Sequence, residues 1–339
     1  MRDERFMQAA LAEARRGLGL TSPNPAVGAV LVIGDKIVAR GHHRRAGGPH
    51  AEVECLERFG RKVPRNATLY VTLEPCSTTG RTGRCTEEII HAGVRKLVVG
   101  AIDPNPRHGG RGIERLEAAG LAVRVGVLSE ECSSLNESYN KWIRTRLPFV
   151  IAKCGMSLDG RLTAPPSESR WLTSAAARRH AQKLRAEVDA ILVGAETVRA
   201  DNPRLTVRGQ PGAKQPWRII LSGSGKLPRS SRVFTDRFAA RTVVKPRTRF
   251  DTLLRELGAQ EITSVLIEGG GDVLGQALDR RLIDKVQVYC APLITGGPTI
   301  AFAAKGADST TAGARMASVH YERIGDDVCI VGYPVYEGF

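Results

Sequence analysis

At 339 residues, with 42% hydrophobic and 25% charged side chains, the chain is long enough for two packed domains. No apolar run approaches the roughly 18 residues of a membrane span, and the opening M-R-D-E-R-F-M-Q-A-A-L lacks a signal peptide's apolar core, so a cytoplasmic location without membrane contact is expected. The net charge of +15 is spread evenly, with 23 Lys and Arg against 16 Asp and Glu in residues 1–146 and 27 against 19 in the rest. With no block of like charges and only 5% aromatics, this pattern speaks against a nucleic-acid surface and for small anionic substrates.

Residues 3–16 carry a helical period stopped at Gly17, and T-S-P-N-P-A-V-G (21–28) is a turn into the strand A-V-L-V-I. Gly34-Asp35 makes a hairpin into K-I-V-A-R. A helix is expected from His50 to about Phe59, a strand over 67–73, a helix from Cys85 stopped by Gly93, a strand K-L-V-V-G-A, the polar turn D-P-N-P (103–106), a helix over 111–119 and a strand over 122–127. Within this stretch lies the motif with the clearest chemistry. His50, Cys76 and Cys85 offer one imidazole and two thiolates, the three-ligand set that holds a zinc ion and leaves one position open for water. Glu52, two residues past the histidine, suits the non-ligand acid/base of zinc-dependent deamination. A structural zinc site would want a fourth ligand, and none stands at finger-like spacing. The other five cysteines (55, 132, 154, 290 and 329) lie in apolar or helical surroundings and are expected as buried free thiols.

N-K-W-I-R-T-R-L-P (140–148) reads as a short basic helix end and linker, with the boundary near Leu147. Strands are expected at F-V-I-A-K-C-G, D-A-I-L-V-G, W-R-I-I-L-S, T-V-V-K, S-V-L-I and K-V-Q-V-Y-C-A-P-L-I, with helices after a capping Ser174, in E-T-V-R-A-D, and at about 250–257 and 271–279. This is a second α/β domain that does not repeat the first. Neither G-x-G-x-x-G nor G-x-x-x-x-G-K occurs. The turn Glu268-Gly269-Gly270-Gly271 between strand and helix could bring a phosphate to helix N–H groups, and a simple tight turn explains it equally well.

The H-A-E motif, the wide Cys76/Cys85 spacing, S-P-N-P-A-V-G and D-P-N-P together resemble the pyrimidine deaminase half of the bifunctional riboflavin-biosynthesis deaminase/reductase family. That resemblance implies a cytidine-deaminase-like α/β domain over residues 1–146, deamination of a phosphoribosylamino-pyrimidine, and substrate contacts at Asn24, His43, Arg81, Asp103 and Asn105. The family commonly has His two residues after the first motif cysteine and T-P-P-C at the second. Here those positions read Thr78 and T-G-R-C, so Gly83 and Arg84 depart from the pattern.

K-C-G-M-S-L-D-G, S-x-W-L-T, D-A-I-L-V-G-A-E-T-V, D-N-P-R-L-T-V-R and E-G-G-G are similar to the reductase half of the same family. The likeness implies a dihydrofolate-reductase-like domain over 147–339 that uses NADPH to reduce the ribosyl group to ribityl. It implies NADPH contacts at Gly155, Trp171, Thr197, Asp201, Gly270 and Gly271, and substrate contacts at Ser169, Arg185, Leu205, Arg208 and Glu268, with Lys153 beside the reacting sugar. Arg185 and Arg208 suit forked binding of a phosphate. Ser222 stands where the family usually has Asp. The expected protein is thus an α/β enzyme with zinc and NADPH as cofactors, a small phosphorylated pyrimidine as substrate, no nucleic-acid partner, and a homo-oligomeric assembly. The rival is a nucleic-acid base deaminase with an RNA-binding second domain, which would bind RNA in a salt-sensitive way.

Overall fold

The structure is a computed structural model that describes residues 2–77, 84–162, 171–246 and 249–336. It divides into two compact units, Met1–Leu147 and Pro148–Phe339.

The first unit runs α1 (Arg2–Arg15), β1 (Gly28–Ile33), β2 (Lys36–His42), α2 (Ala51–Phe59), β3 (Ala67–Leu73), α3 (Cys85–His91), β4 (Lys96–Ala101), α4 (Arg111–Ala118), β5 (Ala122–Val125), α5 (Ser129–Ser134) and α6 (Glu137–Thr145). Its five strands are ordered β2-β1-β3-β4-β5. β1 is antiparallel to both neighbours, and β3, β4 and β5 are parallel. Phe6, Met7, Ala10, Leu11 and Ala14 recur at helical spacing and are buried, the first four in one cluster with Val30, Leu31, Leu69 and Val71 from the sheet. α2 lies so close to β2 that a Cβ on Gly41 would sit 2.3 Å from the Ala51 carbonyl oxygen. That approach sets the height of the α2 N-terminus over the sheet, where His50 is the capping residue and not the first helical one.

The pairing directions place the chemistry on one edge. The start of β1, the end of β2 and the ends of β3 and β4 meet there, since Gly28 pairs His42, Ala29 pairs Val71 and Leu73 pairs Ala101. The turn at 21–27 and the segments after His42, Leu73 and Ala101 therefore share that edge. Carboxyl ends of parallel strands are where α/β sheets present ligand-binding groups.

The second unit runs β6 (Phe149–Ser157), α7 (Ala175–Glu187), β7 (Ala190–Gly194), α8 (Ala195–Asp201), β8 (Trp217–Ser222), α9 (Arg232–Thr235), β9 (Thr242–Pro246), α10 (Phe250–Ala259), β10 (Ser264–Ile267), α11 (Gly271–Asp279), β11 (Lys285–Ala291), β12 (Arg315–Ile324) and β13 (Asp327–Val335). The eight strands are ordered β12-β13-β11-β6-β10-β7-β8-β9, antiparallel where β13 meets its two neighbours and parallel elsewhere. β7 and β10 are buried at every residue, which is why they read as continuous apolar runs. Ser174 caps α7 as its position suggested, its Oγ accepting from the Ala177 amide at 3.2 Å.

The β12–β13 hairpin has no counterpart among the strands read from the sequence. Nine of the ten β12 residues are exposed. The alternation A-S-V-H-Y-E (317–322) carries a period-2 pattern, yet its apolar members Val319 and Tyr321 stay exposed, so here the pattern marks a strand without marking a buried face. Three other boundaries move slightly. The segment read as a basic helix end is a full helix, α6, closed by Arg146 in the left-handed region (φ 60). β5 stops at Val125 and β11 at Ala291, short of the apolar residues that follow each.

Candidate active sites

In the first unit, the three residues predicted to hold a metal come together. His50 Nδ1 lies 3.0 Å from Cys85 Sγ and 3.6 Å from Cys76 Sγ, and the two sulfurs are 3.3 Å apart as free thiols. His50 stands at the α2 N-terminus, Cys76 three residues past β3 and Cys85 at the first residue of α3. Zinc with S and N ligands at about 2.3 and 2.1 Å in a tetrahedron holds such atoms about 3.5–3.8 Å apart. The cluster fits after opening by about half an ångström. Among the described residues no fourth His, Cys, Asp or Glu joins it, and three ligands are the number a catalytic zinc site uses.

Glu52 is buried beside this cluster. Burial pushes its carboxyl up to about 7, with the His50 ring pulling it down and Cys76 pushing it further up. A carboxyl in that range can both accept and return a proton near neutral pH. The Cys76 thiol is held down to about 4, first by the hydrogen bond from Cys85, with burial opposing and His50 assisting, while Cys85 is pushed well up. The pair therefore loses one proton readily and keeps the other until a cation displaces it. Since protons compete for the same ligand atoms, zinc content should fall steeply as pH is lowered, and metal analysis after dialysis at stepped pH measures this. A content independent of pH down to mild acid would contradict the assignment of these ligands.

His43 and Asn24 sit together beside the metal ligands. The His43 ring meets the His50 ring edge-on at 5.1 Å. Its Nδ1 lies 2.9 Å from the Pro49 carbonyl oxygen, which can only accept, so Nδ1 carries the proton. Nε2 then accepts from Asn24 Nδ2 at 3.2 Å. Burial lowers the His43 pKa, in keeping with a neutral ring. Asp103 is also buried, and burial raises its pKa. Its Oδ1 accepts from the Asn105 amide at 2.9 Å and the Tyr139 hydroxyl at 3.1 Å. Arg81, with the departures Thr78 and Gly83, lies outside the described residues. Arg84 precedes α3 and pairs with Glu87 at 3.0 Å.

Two participants were not anticipated. Tyr139 comes from α6, far along the chain from Asp103, and an amphipathic helix gives no hint of which hydroxyl reaches inward. Glu74, directly after the strand expected over 67–73, is a buried carboxylate bonded to three backbone amides.

In the second unit a cavity of about 1220 Å³ opens over the sheet. Lys153 and Gly155 from β6, Trp171, Arg185 from α7, Thr197 and Asp201 from α8, Leu205 and Arg208 from the loop beyond it, and Glu268, Gly270 and Gly271 all line this one space. Ser169 lies outside the described residues. The volume exceeds the usual range of about 300–1,000 Å³ for small-ligand pockets and suits a dinucleotide with a second molecule. The turn at its floor needs glycine. Gly269 has φ 120, and a Cβ on Gly271 would lie 2.0 Å from the Ile300 carbonyl oxygen. Gly270 caps α11, so phosphate can approach amides at a helix N-terminus. These features fit NADPH.

Arg185 is placed differently from the sequence expectation of a forked phosphate grip. Its Nε and Nη2 donate to the two Glu268 oxygens at 2.8 and 2.5 Å, and Nη1 donates to the Thr206 carbonyl at 3.1 Å. The fork is engaged by a buried carboxylate, which needs it more than a solvated phosphate does. Burial pushes the Glu268 carboxyl up, and Arg185 followed by Lys153 outweighs this and holds it down to about 2. The Lys153 ammonium lies 5.7 Å from the Tyr289 ring centre. Trp171 is half exposed at the cavity wall, with the Arg178 guanidinium 5.0 Å from its ring. Ser222 is buried, and its hydroxyl accepts from the Gly225 amide at 3.0 Å, shaping the turn whose Gly223 and Ser224 line the cavity.

Residues 148–330 match the RibD C-terminal domain, and residues 1–101 match the cytidine and deoxycytidylate deaminase zinc-binding region. The chain is 38% identical to the riboflavin biosynthesis protein RibD of Aquifex aeolicus over 97% of each chain, and 37% identical to that of Escherichia coli over 97% of this chain and 99% of the other.

The chain belongs to the RibD family.

The crystal structure of a RibD relative from Thermotoga maritima, a diaminohydroxyphosphoribosylaminopyrimidine deaminase/5-amino-6-(5-phosphoribosylamino)uracil reductase, superposes with a TM-score of 0.90 at 34% identity, covering 98% of this chain and 99% of the other. Acinetobacter baumannii RibD gives 0.89 at the same identity and coverage. The cytidine-deaminase-like and reductase folds of this RibD chain are those expected from its motifs.

Proposed function

We propose that this RibD chain carries out two consecutive steps of riboflavin biosynthesis: hydrolytic deamination of 2,5-diamino-6-(5-phosphoribosylamino)pyrimidin-4-one, then NADPH-dependent reduction of its ribosyl group to ribityl. We assign the first activity to residues 1–146 and the second to 147–339. One observation carries the reading: a buried acid beside a cluster of three metal-binding side chains occurs in the same chain as a RibD C-terminal domain.

In the deaminase, His50, Cys76 and Cys85 would hold zinc, which when bound supplies a Lewis acid that makes water nucleophilic near neutral pH. Glu52 takes the proton released in the attack and returns it to the departing amine, a double duty suited to a buried carboxyl beside the metal ligands. Asn24 and neutral His43 orient the pyrimidine from the β1–β2 side, and Asp103 and Asn105 from the β4 side. Arg81 is assigned to the same substrate.

In the reductase, NADPH supplies the hydride when bound. Gly155, Trp171, Thr197, Asp201 and the Gly270–Gly271 turn are assigned to the cofactor. Glu268, fixed as a carboxylate, accepts from sugar hydroxyls, and Lys153 faces the reacting carbon. Arg208, which lines the cavity, is the guanidinium assigned to the substrate phosphate. Arg185 serves through Glu268 and Thr206, and Ser169 and Leu205 complete the substrate contacts.

We place the chain in the cytoplasm as a homo-oligomer with no nucleic-acid partner. No helix among the described residues is long and apolar enough to cross a membrane. The long exposed edge of β12 is a surface on which copies could pair. Separate assays of ammonia release and NADPH oxidation, on protein of known metal content and light-scattering mass, test the reading. Both half-reactions should run, and ammonia release should track zinc. Salt-sensitive RNA binding without NADPH oxidation would favour a base deaminase instead.

A further inference from the structure

We infer that Glu74 is a positioning residue that holds the pyrimidine-facing loop, residues 103–112, in register with the metal ligands. The inference rests on the reading that Asp103 and Asn105 contact substrate. Glu74 follows β3 directly, two residues before Cys76, and its carboxylate is buried. Among the described residues, the hydrogen bonds it accepts come from the backbone of that one loop and the α4 start. Oε2 accepts from the Asp103 amide at 3.1 Å and the Gly110 amide at 3.0 Å, and Oε1 accepts from the Gly112 amide at 2.8 Å. Gly110 is the α4 N-cap and Gly112 lies in its first turn, so the anion also meets the positive end of the helix.

The docking leaves no slack. A Cβ on Gly112 would lie 2.1 Å from the Pro75 carbonyl oxygen and 3.0 Å from Glu74 Oε1. The Glu74 amide donates to the Ala101 carbonyl at 2.9 Å, which prolongs the β3–β4 pairing toward the loop. One side chain thus ties the segment that delivers Cys76 to the segment that delivers Asp103 and Asn105. The requirement is for two acceptor oxygens and not for shape. Glutamine is isosteric, yet in either amide orientation its NH₂ would face at least one backbone N–H, setting donor against donor.

The test uses the full chain loaded with zinc. In Glu74→Gln, KM for ammonia release should rise about 10- to 100-fold while zinc content and NADPH oxidation on the deaminated substrate stay at wild-type levels. Amide hydrogen exchange at 103–112 should quicken in step. Glu74→Asp, which keeps both oxygens, should recover part of the KM. Gly112→Ala, which pushes the loop off Pro75 with Glu74 intact, should reproduce the KM signature, so the inference stays testable even if Glu74→Gln does not fold. Unchanged KM and exchange in Glu74→Gln would overturn it. Loss of zinc together with kcat would overturn it too, because Glu74 would then be supporting the metal segment. Asp103→Asn separates the underlying reading: if its KM is unchanged, the loop does not contact substrate, whatever the exchange data show for Glu74.

Discussion

Glu52→Gln should lower the rate of ammonia release by about 10²–10⁴-fold, the usual contribution of a positioned proton-transfer group. Zinc content should not change, because the cluster is complete without Glu52. NADPH oxidation on the deaminated substrate should also be unchanged, since every residue lining the reductase cavity belongs to the second unit. Gln preserves size and one acceptor oxygen but cannot take a proton, so the variant separates proton transfer from substrate binding. The matching readouts are ammonia, bound metal and NADPH absorbance on a single preparation. Ammonia release within a few-fold of wild type would remove Glu52 from the mechanism.

Arg185→Ala should destabilise the second unit by about 3–5 kcal/mol and lower the reductase rate by about 10²-fold or more. Both side chains of the pair are largely out of solvent, so truncating Arg185 leaves Glu268 a buried charge offset only by Lys153 and Arg208 and removes one donor from the Thr206 carbonyl. The pH dependence follows from the depressed pKa. Glu268 has an ordinary value of 4.5 and is held at about 2 in the folded chain, so its stabilising contribution is fully present above about 4.5 and lost as pH falls through about 2. In the variant the largest part of that contribution is gone, and protonating Glu268 relieves its buried charge. The stability gap between wild type and variant should therefore be widest near neutral pH and narrow on acidification. Urea unfolding at pH 7, 5 and 3 measures it, and a gap equally wide at pH 3 would mean the ion pair is not its source.

The metal cluster was legible because its chemistry is carried by residue type and spacing. One His with a Glu two positions on, and two cysteines in a turn-rich stretch, have few other uses in a chain whose remaining cysteines sit in apolar settings. The parallel strands were legible for a related reason, since burial on both faces leaves only apolar residues. β12, exposed almost throughout, carries no such apolar run and shows only the short alternation A-S-V-H-Y-E. Glu74 and Tyr139 escaped because a carboxylate bonded to backbone amides, or a hydroxyl reaching from another helix, has no local signature. For Asn24, His43, Asp103 and most of the reductase residues, resemblance carried the expectation. The structure adds that they gather on one sheet edge and around one cavity.

By itself the sequence determined the two-part α/β organisation, the metal-binding donor set and the acid next to it, because these follow from hydrophobic periodicity and ligand chemistry along short stretches. Tertiary structure alone decided how the charges are spent. It turned Arg185 from a phosphate fork into the partner of Glu268, set the His43 tautomer against Pro49, and placed Glu74 beneath the 103–112 loop. Each of these depends on which group the fold brings within about 3 Å of another in a site closed to water, and spacing along the chain carries no record of that distance.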